Sequence, residues 1–267
     1  MSSVSNYLLK VGEIDLKRMS LLGSIYEPFN QAFLLKHGLK SGMKIADIAC
    51  GPGNTSLFLS KLVGQSGRVV AIDNSHEQLS ILEKKIENEK INNIDILNRN
   101  LLELDQISEK FDLIFCRFIL VHLQAPLEAL QIFKSLLKPG GLLFTAEPDN
   151  QSWYCFPDNE LIHTEIQALI SLGSKKGLDY AIGPKLYGYL RNTSFTNVAA
   201  EIAQPVLNQE QKQYFLLRAE ANKEIYLQNN LFSESEYNQL VKDLADFVQN
   251  DNYLVTGFRM FQVCGRK

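Results

Sequence analysis

The 267-residue chain has no long basic run, no apolar stretch of membrane-spanning length and no cysteine pair at metal-ligand spacing. Each absence narrows the possibilities. Phosphate binding usually shows as a clustered basic surface, so a net charge of −3 without such a run argues against a nucleic-acid partner. A bilayer core calls for roughly 20 consecutive apolar residues, and no membrane partner is expected from this sequence. Cys50, Cys116, Cys155 and Cys264 stand far apart and offer neither a disulfide framework nor a metal site. Cys50 and Cys116 read instead as small buried apolar residues. The opening Met-Ser-Ser-Val-Ser-Asn-Tyr lacks the charged-then-apolar order of a secretory leader, and with reduced cysteines a cytoplasmic location is the expectation. Also missing are a Ser-His-Asp or Cys-His pattern, a metal-ligating triad, internal repeats and low-complexity segments.

What is present is enough apolar residue, 45%, for a sizeable core, as one large domain or one domain with an inserted cap. Residues 44–57 organise the chain. Ile45, Ala46, Ile48 and Ala49 read as a buried parallel strand. Gly51, Pro52 and Gly53 break it, and Asn54 or Thr55 is placed to cap a helix carrying Leu57, Phe58, Leu59, Leu62 and Val63. A strand, a glycine turn and a helix N-terminus let backbone N–H groups approach a ligand, though glycine also serves turn geometry alone. About twenty residues on, a second strand ends in Asp73, where a carboxylate suits a ribose diol. Ser56 occupies the place of the third glycine of a dinucleotide fingerprint, and Asp47 suits a cationic ligand better than a pyrophosphate.

In order and at ordinary spacings, Asp47-Ile-Ala-Cys-Gly51-Pro-Gly53, Asp73, Phe111-Asp112-Leu-Ile-Phe-Cys-Arg117 and Lys138-Pro-Gly-Gly141 resemble the class I S-adenosylmethionine-dependent methyltransferases. The resemblance is strong over about residues 40–147 and loose elsewhere. Ala49 departs from the first glycine of the family's motif, and Asn100 stands where the family often has an aspartate after its third strand. The resemblance implies an α/β fold with a doubly wound, mostly parallel seven-stranded sheet whose last strand is antiparallel, plus helical N-terminal and C-terminal caps. It implies S-adenosylmethionine as cofactor. Asp47, Ala49, Gly51 and Gly53 would then hold the methionine end, Asp73 with Asn74 the ribose, and Asn100 with Leu101 the adenine. Arg117 stands at a strand end as a further cofactor-side residue.

The remaining elements follow from periodicity and breakers. Residues 1–40 look helical, with Leu8, Leu9, Leu16, Met19 and Leu22 as a stripe and a new helix at Pro28 that stops at Gly38. Tyr7, Arg18 and Tyr26 are candidates there for closing over a ligand, against a solvated face. Ser75 with Gln78 begins a helix; strands are expected at 93–98, 111–118 and 142–146, with a helix from Pro126 between the last two. Further on, Trp153, Tyr154 and Phe156 cluster, as cap packing or as substrate contacts. Helices follow from Asp158 or Asn159 and from Pro184, then a strand at 195–206, two helices within 208–250 and a last strand at 253–264. The expected division is a single domain, 1–267: a helical segment 1–40, a cofactor-binding core 41–150, cap elements 151–194 and 207–252, and edge strands 195–206 and 253–267.

Among candidates for chemistry, His122 follows the fourth strand and suits proton removal near neutral pH, against a packed residue at a helix start. Arg117 would steady an anion or a cofactor-side network. The partner expected is a small-molecule acceptor methylated on O, N or C, with Tyr26, Trp153 and Tyr154 as its contacts. The alternatives are an RNA or protein methyltransferase, an NAD-dependent oxidoreductase, and a non-catalytic module that keeps the cofactor pocket as a scaffold or sensor. Oligomeric state is left open.

Overall fold

A computed structural model describes residues 12–267. Tyr7, Leu8 and Leu9 lie outside the described residues. The first helix, α1, runs unbroken over Glu13–His37 with Pro28 inside it, so no new helix begins at the proline. An interior proline costs about 3 kcal/mol or more in an exposed helix. Here Leu22, Ile25 and Tyr26 before it and Phe33 and Leu34 after it are all buried, and one continuous apolar face outweighs the lost hydrogen bond. The helix ends where expected. Gly38, at a φ of 120°, donates its N–H to the Leu34 carbonyl.

The core then alternates β1 (Lys44–Ile48), α2 (Asn54–Val63), β2 (Arg68–Asp73), α3 (His76–Glu89), β3 (Ile94–Asn98), β4 (Phe111–Arg117), α4 (Pro126–Leu136) and β5 (Leu137–Asp149). These five strands pair in parallel, and the apolar runs of β1 and β4 are buried as central strands should be. Lys138-Pro-Gly-Gly lies inside β5, at a register shift opposite residues 111–113, rather than outside the sheet. Beyond it come β6 (Tyr154–Phe156), α5 (Glu160–Lys175), α6 (Leu186–Asn192), β7 (Thr196–Ala203), α7 (Gln209–Ala221), α8 (Lys223–Gln228), α9 (Glu234–Gln249), β8 (Leu254–Thr256) and β9 (Arg259–Arg266). Strand β9 enters antiparallel between β5 and β7, giving the seven-stranded order β3-β2-β1-β4-β5-β9-β7. The doubly wound, mostly parallel sheet read from the sequence is the fold.

Two further elements differ from the sequence reading. Three helices, not two, occupy the stretch before β8, because the chain turns at Asn222 and again at Asn229. The final strand is split. The Gly257 N–H donates to the Pro205 carbonyl at 2.8 Å, and a side chain at Gly257 would collide with the Tyr26 hydroxyl. The chain therefore leaves the line of β9, and β8 pairs with β6 in a separate two-stranded sheet. Helices α1, α5, α7 and α9 close over one end of the sheet around a cluster that includes Tyr26, Trp153, Phe215, Phe247 and Phe258. Among the described residues, no helix is long and apolar enough to cross a membrane.

Candidate active site

A cavity of about 840 Å³ opens at the carboxyl ends of β1, β2, β4 and β5, beneath α1, α5 and α7. This is where a doubly wound sheet places ligands. One half is polar. Asp47 lines it from the end of β1, Ala49, Cys50 and Gly51 from the turn that follows, Asp73 and Asn74 from the end of β2, Arg99, Asn100 and Leu101 from beyond β3, and Arg117 from the end of β4.

The turn after β1 is shaped by backbone geometry. Ala49, Gly51 and Gly53 have φ values of 58°, 55° and 77°. A Cβ on Gly53 would stand 2.2 Å from Leu82, so only glycine fits there. Gly53 itself is the residue before α2 and does not line the cavity; it shapes the turn that does. No side chain caps α2, contrary to the expected Asn54 or Thr55 cap. Asn54 accepts a hydrogen bond from Lys85 Nζ at 2.7 Å, and Thr55 takes one from Arg117 at 3.3 Å. The first N–H groups of the helix are left for a ligand.

Two carboxylates face this turn. Asp73 accepts the Gly51 N–H at 2.9 Å and the Ser75 N–H at 2.8 Å, which pins the turn to β2. Asp47 is 2% exposed and accepts the Ser56 hydroxyl at 2.5 Å. Burial pushes its carboxyl up to about 7, against the Ser56 hydrogen bond and the nearby Arg117 charge. A cation beside it would favour the carboxylate. Arg117 donates from Nη1 to Glu27 Oε2 at 2.8 Å, joining β4 to α1.

The other half is mainly apolar. Met19 and Leu22 from α1, Ile166, Leu169 and Ile170 from α5, Tyr214 from α7 and Phe258 before β9 line it, with Arg18, Arg218 and Asn222 as polar insertions. His122 stands at the junction. Its turn is held by Glu147, which accepts the N–H groups of Ile119 at 3.0 Å, Leu120 at 2.9 Å and Val121 at 3.3 Å. Burial raises Glu147 to about 7, partly offset by those hydrogen bonds. Burial, with a smaller push from Arg18, lowers His122 to about 4, so its imidazole is neutral at physiological pH.

The structure thus brings together Asp47, Ala49, Gly51, Asp73, Asn74, Asn100, Leu101, Arg117 and His122 around one cavity. It does not bring Tyr26, Trp153 or Tyr154 there. Tyr26 is fully buried behind the wall, stacked on Phe258 at 4.7 Å with its hydroxyl donating to the Phe258 carbonyl. Trp153 is also one layer back, 5.6 Å from the Tyr214 ring and 5.1 Å from that of Phe258. Tyr154 alternates outward on β6 and is half exposed. Arg18, a candidate for closing over a ligand, lines the cavity while pairing with Asp15 at 2.7 Å. Sequence reasoning missed Glu27, Glu165, Arg218 and Asn222. Glu147 is within reach of the strand-end rule, since it lies near the carboxyl end of β5. Among the described residues, no group of three His, Cys, Asp or Glu side chains is placed to hold a metal ion.

Residues 39–211, more than half of the chain, match the family model described as a methyltransferase domain. A demethylmenaquinone methyltransferase of Bacillus velezensis is 30% identical over 118 residues, 44% of this chain and 51% of that protein. An uncharacterized methyltransferase of Schizosaccharomyces pombe is 31% identical over 166 residues, 59% of this chain and 58% of that protein. The chain spans about half the length of the curated relatives it matches. The crystal structure of a SAM-dependent methyltransferase from Aquifex aeolicus superposes with a TM-score of 0.51 at 21% identity, covering 74% of this chain and 93% of that one. At that identity the likeness is one of fold.

Proposed function

We propose that this chain, which belongs to the methyltransferase-domain family of S-adenosylmethionine-dependent class I enzymes, transfers a methyl group to a small-molecule acceptor with an apolar body. The observation that carries the reading is the division of one cavity into a polar half at the strand ends and an apolar half under the cap. S-Adenosylmethionine, when bound, supplies a methyl group already activated by a sulfonium. The residues suit it. Asp47, a buried carboxyl beside the uncapped turn of α2, suits an ammonium. Asp73 is oriented by two backbone donors and keeps lone pairs for a diol. Asn100 suits the amino edge of the adenine, through its amide oxygen, and Leu101 suits its apolar ring.

No covalent nucleophile is needed, because positioning and exclusion of water supply much of the rate. The apolar lining from α1, α5 and α7 does both. Arg117, clamped by Glu27, is assigned to steadying the turn and the ligand's polar end. His122 is a weak base at a pKa of about 4. It therefore suits hydrogen bonding to an acceptor better than removal of a tightly held proton. The accepting atom is oxygen, nitrogen or carbon, and the relatives named for demethylmenaquinone make an apolar acceptor the first to try. The whole of 1–267 is taken as one methyltransferase domain.

Calorimetric titration with S-adenosylmethionine and, separately, NADH tests the reading on wild type and on Asp73→Ala. The expected result is binding of the first ligand only, weakened about 10- to 100-fold by the substitution, the worth of charged hydrogen bonds. Transfer of labelled methyl to apolar acceptors follows. No binding of S-adenosylmethionine by folded, ligand-free protein overturns the reading.

A further inference from the structure

The cap contains a buried polar chain that methyl transfer as described does not use. Glu165 on α5 and Arg218 on α7 are 1% and 5% exposed. The Arg218 Nε donates to Glu165 Oε1 at 3.1 Å and its Nη2 to Oε2. The guanidinium also lies 5.3–5.5 Å from the ring centres of Trp153, Tyr214 and Phe215, which hold it in place. The Tyr226 hydroxyl donates to Glu165 Oε1. With that proton engaged, the Tyr226 oxygen is left to accept, and Asn222 Nδ2 donates to it at 3.5 Å. Each link sets the direction of the next. The last one turns the amide nitrogen of Asn222 toward Tyr226 and its oxygen away.

Asn222 is 2% exposed and lines the cavity, as do Tyr214 and Arg218 on the same helix. Its Oδ1 is buried and accepts no hydrogen bond from the described residues. A buried carbonyl oxygen without a donor is costly, and native proteins seldom leave one so. We propose that Asn222 Oδ1 is a specificity-determining contact for the acceptor: it receives a hydrogen bond from a hydroxyl or amino group on an otherwise apolar small molecule. The inference rests on the proposed function, in that the apolar half must hold the acceptor. Glu165, Arg218 and Tyr226 act through Asn222 and are positioning residues. A site built this way rejects the analogue that lacks the donor, because its own oxygen then stays unpaired.

The test uses a matched pair of probes, 2-naphthol and 2-methylnaphthalene, which differ by a hydroxyl in place of a methyl. Each is titrated calorimetrically into wild type, Asn222→Leu and Tyr226→Phe, with S-adenosylhomocysteine at saturation. The affinity of S-adenosylhomocysteine is measured first, because it reports the cofactor half alone. The expected result is a preference of wild type for 2-naphthol and a fall of about tenfold in the affinity ratio in Asn222→Leu, the worth of one neutral hydrogen bond. Tyr226→Phe leaves the amide free to turn, so the ratio falls severalfold there while 2-methylnaphthalene binding is unchanged. Should Asn222→Leu fail to fold, Tyr226→Phe decides. An unselective wild type, an unchanged ratio in the folded variants, or binding of neither probe overturns the inference while leaving the cofactor site standing. Loss of S-adenosylhomocysteine binding in wild type overturns the methyl-transfer reading itself.

Discussion

The two halves of the cavity are assembled in opposite ways. The polar half is made from short contiguous stretches, residues 47–52, 73–75 and 99–101, each at the end of a strand whose ladder already sets its direction. Two backbone N–H groups on Asp73 and three positive-φ residues complete it. The apolar half takes Leu22, Ile166, Tyr214, Asn222 and Phe258 from segments far apart in sequence. There the helices have no ladder to orient them, and a buried ion pair with its tyrosine does that work through side chains. A sheet passes on its orientation through backbone hydrogen bonds. A helical cap must build orientation from side-chain contacts, which single substitutions can remove.

The largest effect expected is therefore in the cap. Glu165→Leu leaves the Arg218 guanidinium buried without its counter-charge, at a cost of about 3–5 kcal/mol in denaturant unfolding. Glu165→Leu combined with Arg218→Leu recovers most of that loss, since an apolar pair of similar bulk needs no counter-charge. In both variants S-adenosylhomocysteine affinity stays within about twofold, because additivity holds for sites without shared partners. A loss of cofactor affinity as large as the loss of stability would break the comparison and make the cavity one cooperative unit.

An intermediate effect belongs to the polar half and depends on pH. Burial raises the Asp47 carboxyl from 3.8 to about 7. The ligand-free fold therefore prefers the protonated form, and its stability falls as pH rises from about 4 to 7. A cationic ligand reverses the preference and expels the proton. Affinity for S-adenosylhomocysteine then climbs toward pH 7, by at most tenfold per pH unit for one proton, and levels above it. Asp47→Asn flattens the curve. Glu147 contributes to the stability slope in the same direction. It does not line the cavity, so it leaves the binding slope alone. A binding curve that is flat in wild type would show that no cation sits at Asp47.

The same contrast governs how much could be read beforehand. The glycine turn, Asp47, Asp73 and the strand-end rule were legible because each motif is local, and a strand places its last residues without help from distant segments. The sheet followed from alternating apolar runs and breakers. Tyr26 and Trp153 were legible as cap aromatics, but residue type does not say which layer a ring occupies, and both support the wall instead of forming it. Asn222 gave no signal at all. It lies at a turn between two helices of mixed composition, and its importance comes from Glu165, 57 positions earlier on another helix. The break between β8 and β9 was hidden for a related reason, since the close approach of Gly257 to the Tyr26 hydroxyl joins residues far apart in sequence.

The smallest effect expected is at Tyr154, and its smallness is informative. Tyr154 sits on β6, paired with β8, and its ring faces outward while the neighbouring Cys155 faces the core. Tyr154→Ser removes apolar surface that is half in water already, so stability shifts by no more than about 0.5 kcal/mol and the affinities of both naphthalene probes stay the same. Tyr214→Ser, at the cavity wall and stacked on Trp153, is the matched contrast: it weakens both probes alike, because it removes packing that does not depend on a donor. If Tyr154→Ser instead altered probe binding, the outer face of β6 would belong to the acceptor site, and the boundary drawn between the cap's inner wall and its outer sheet would have to move.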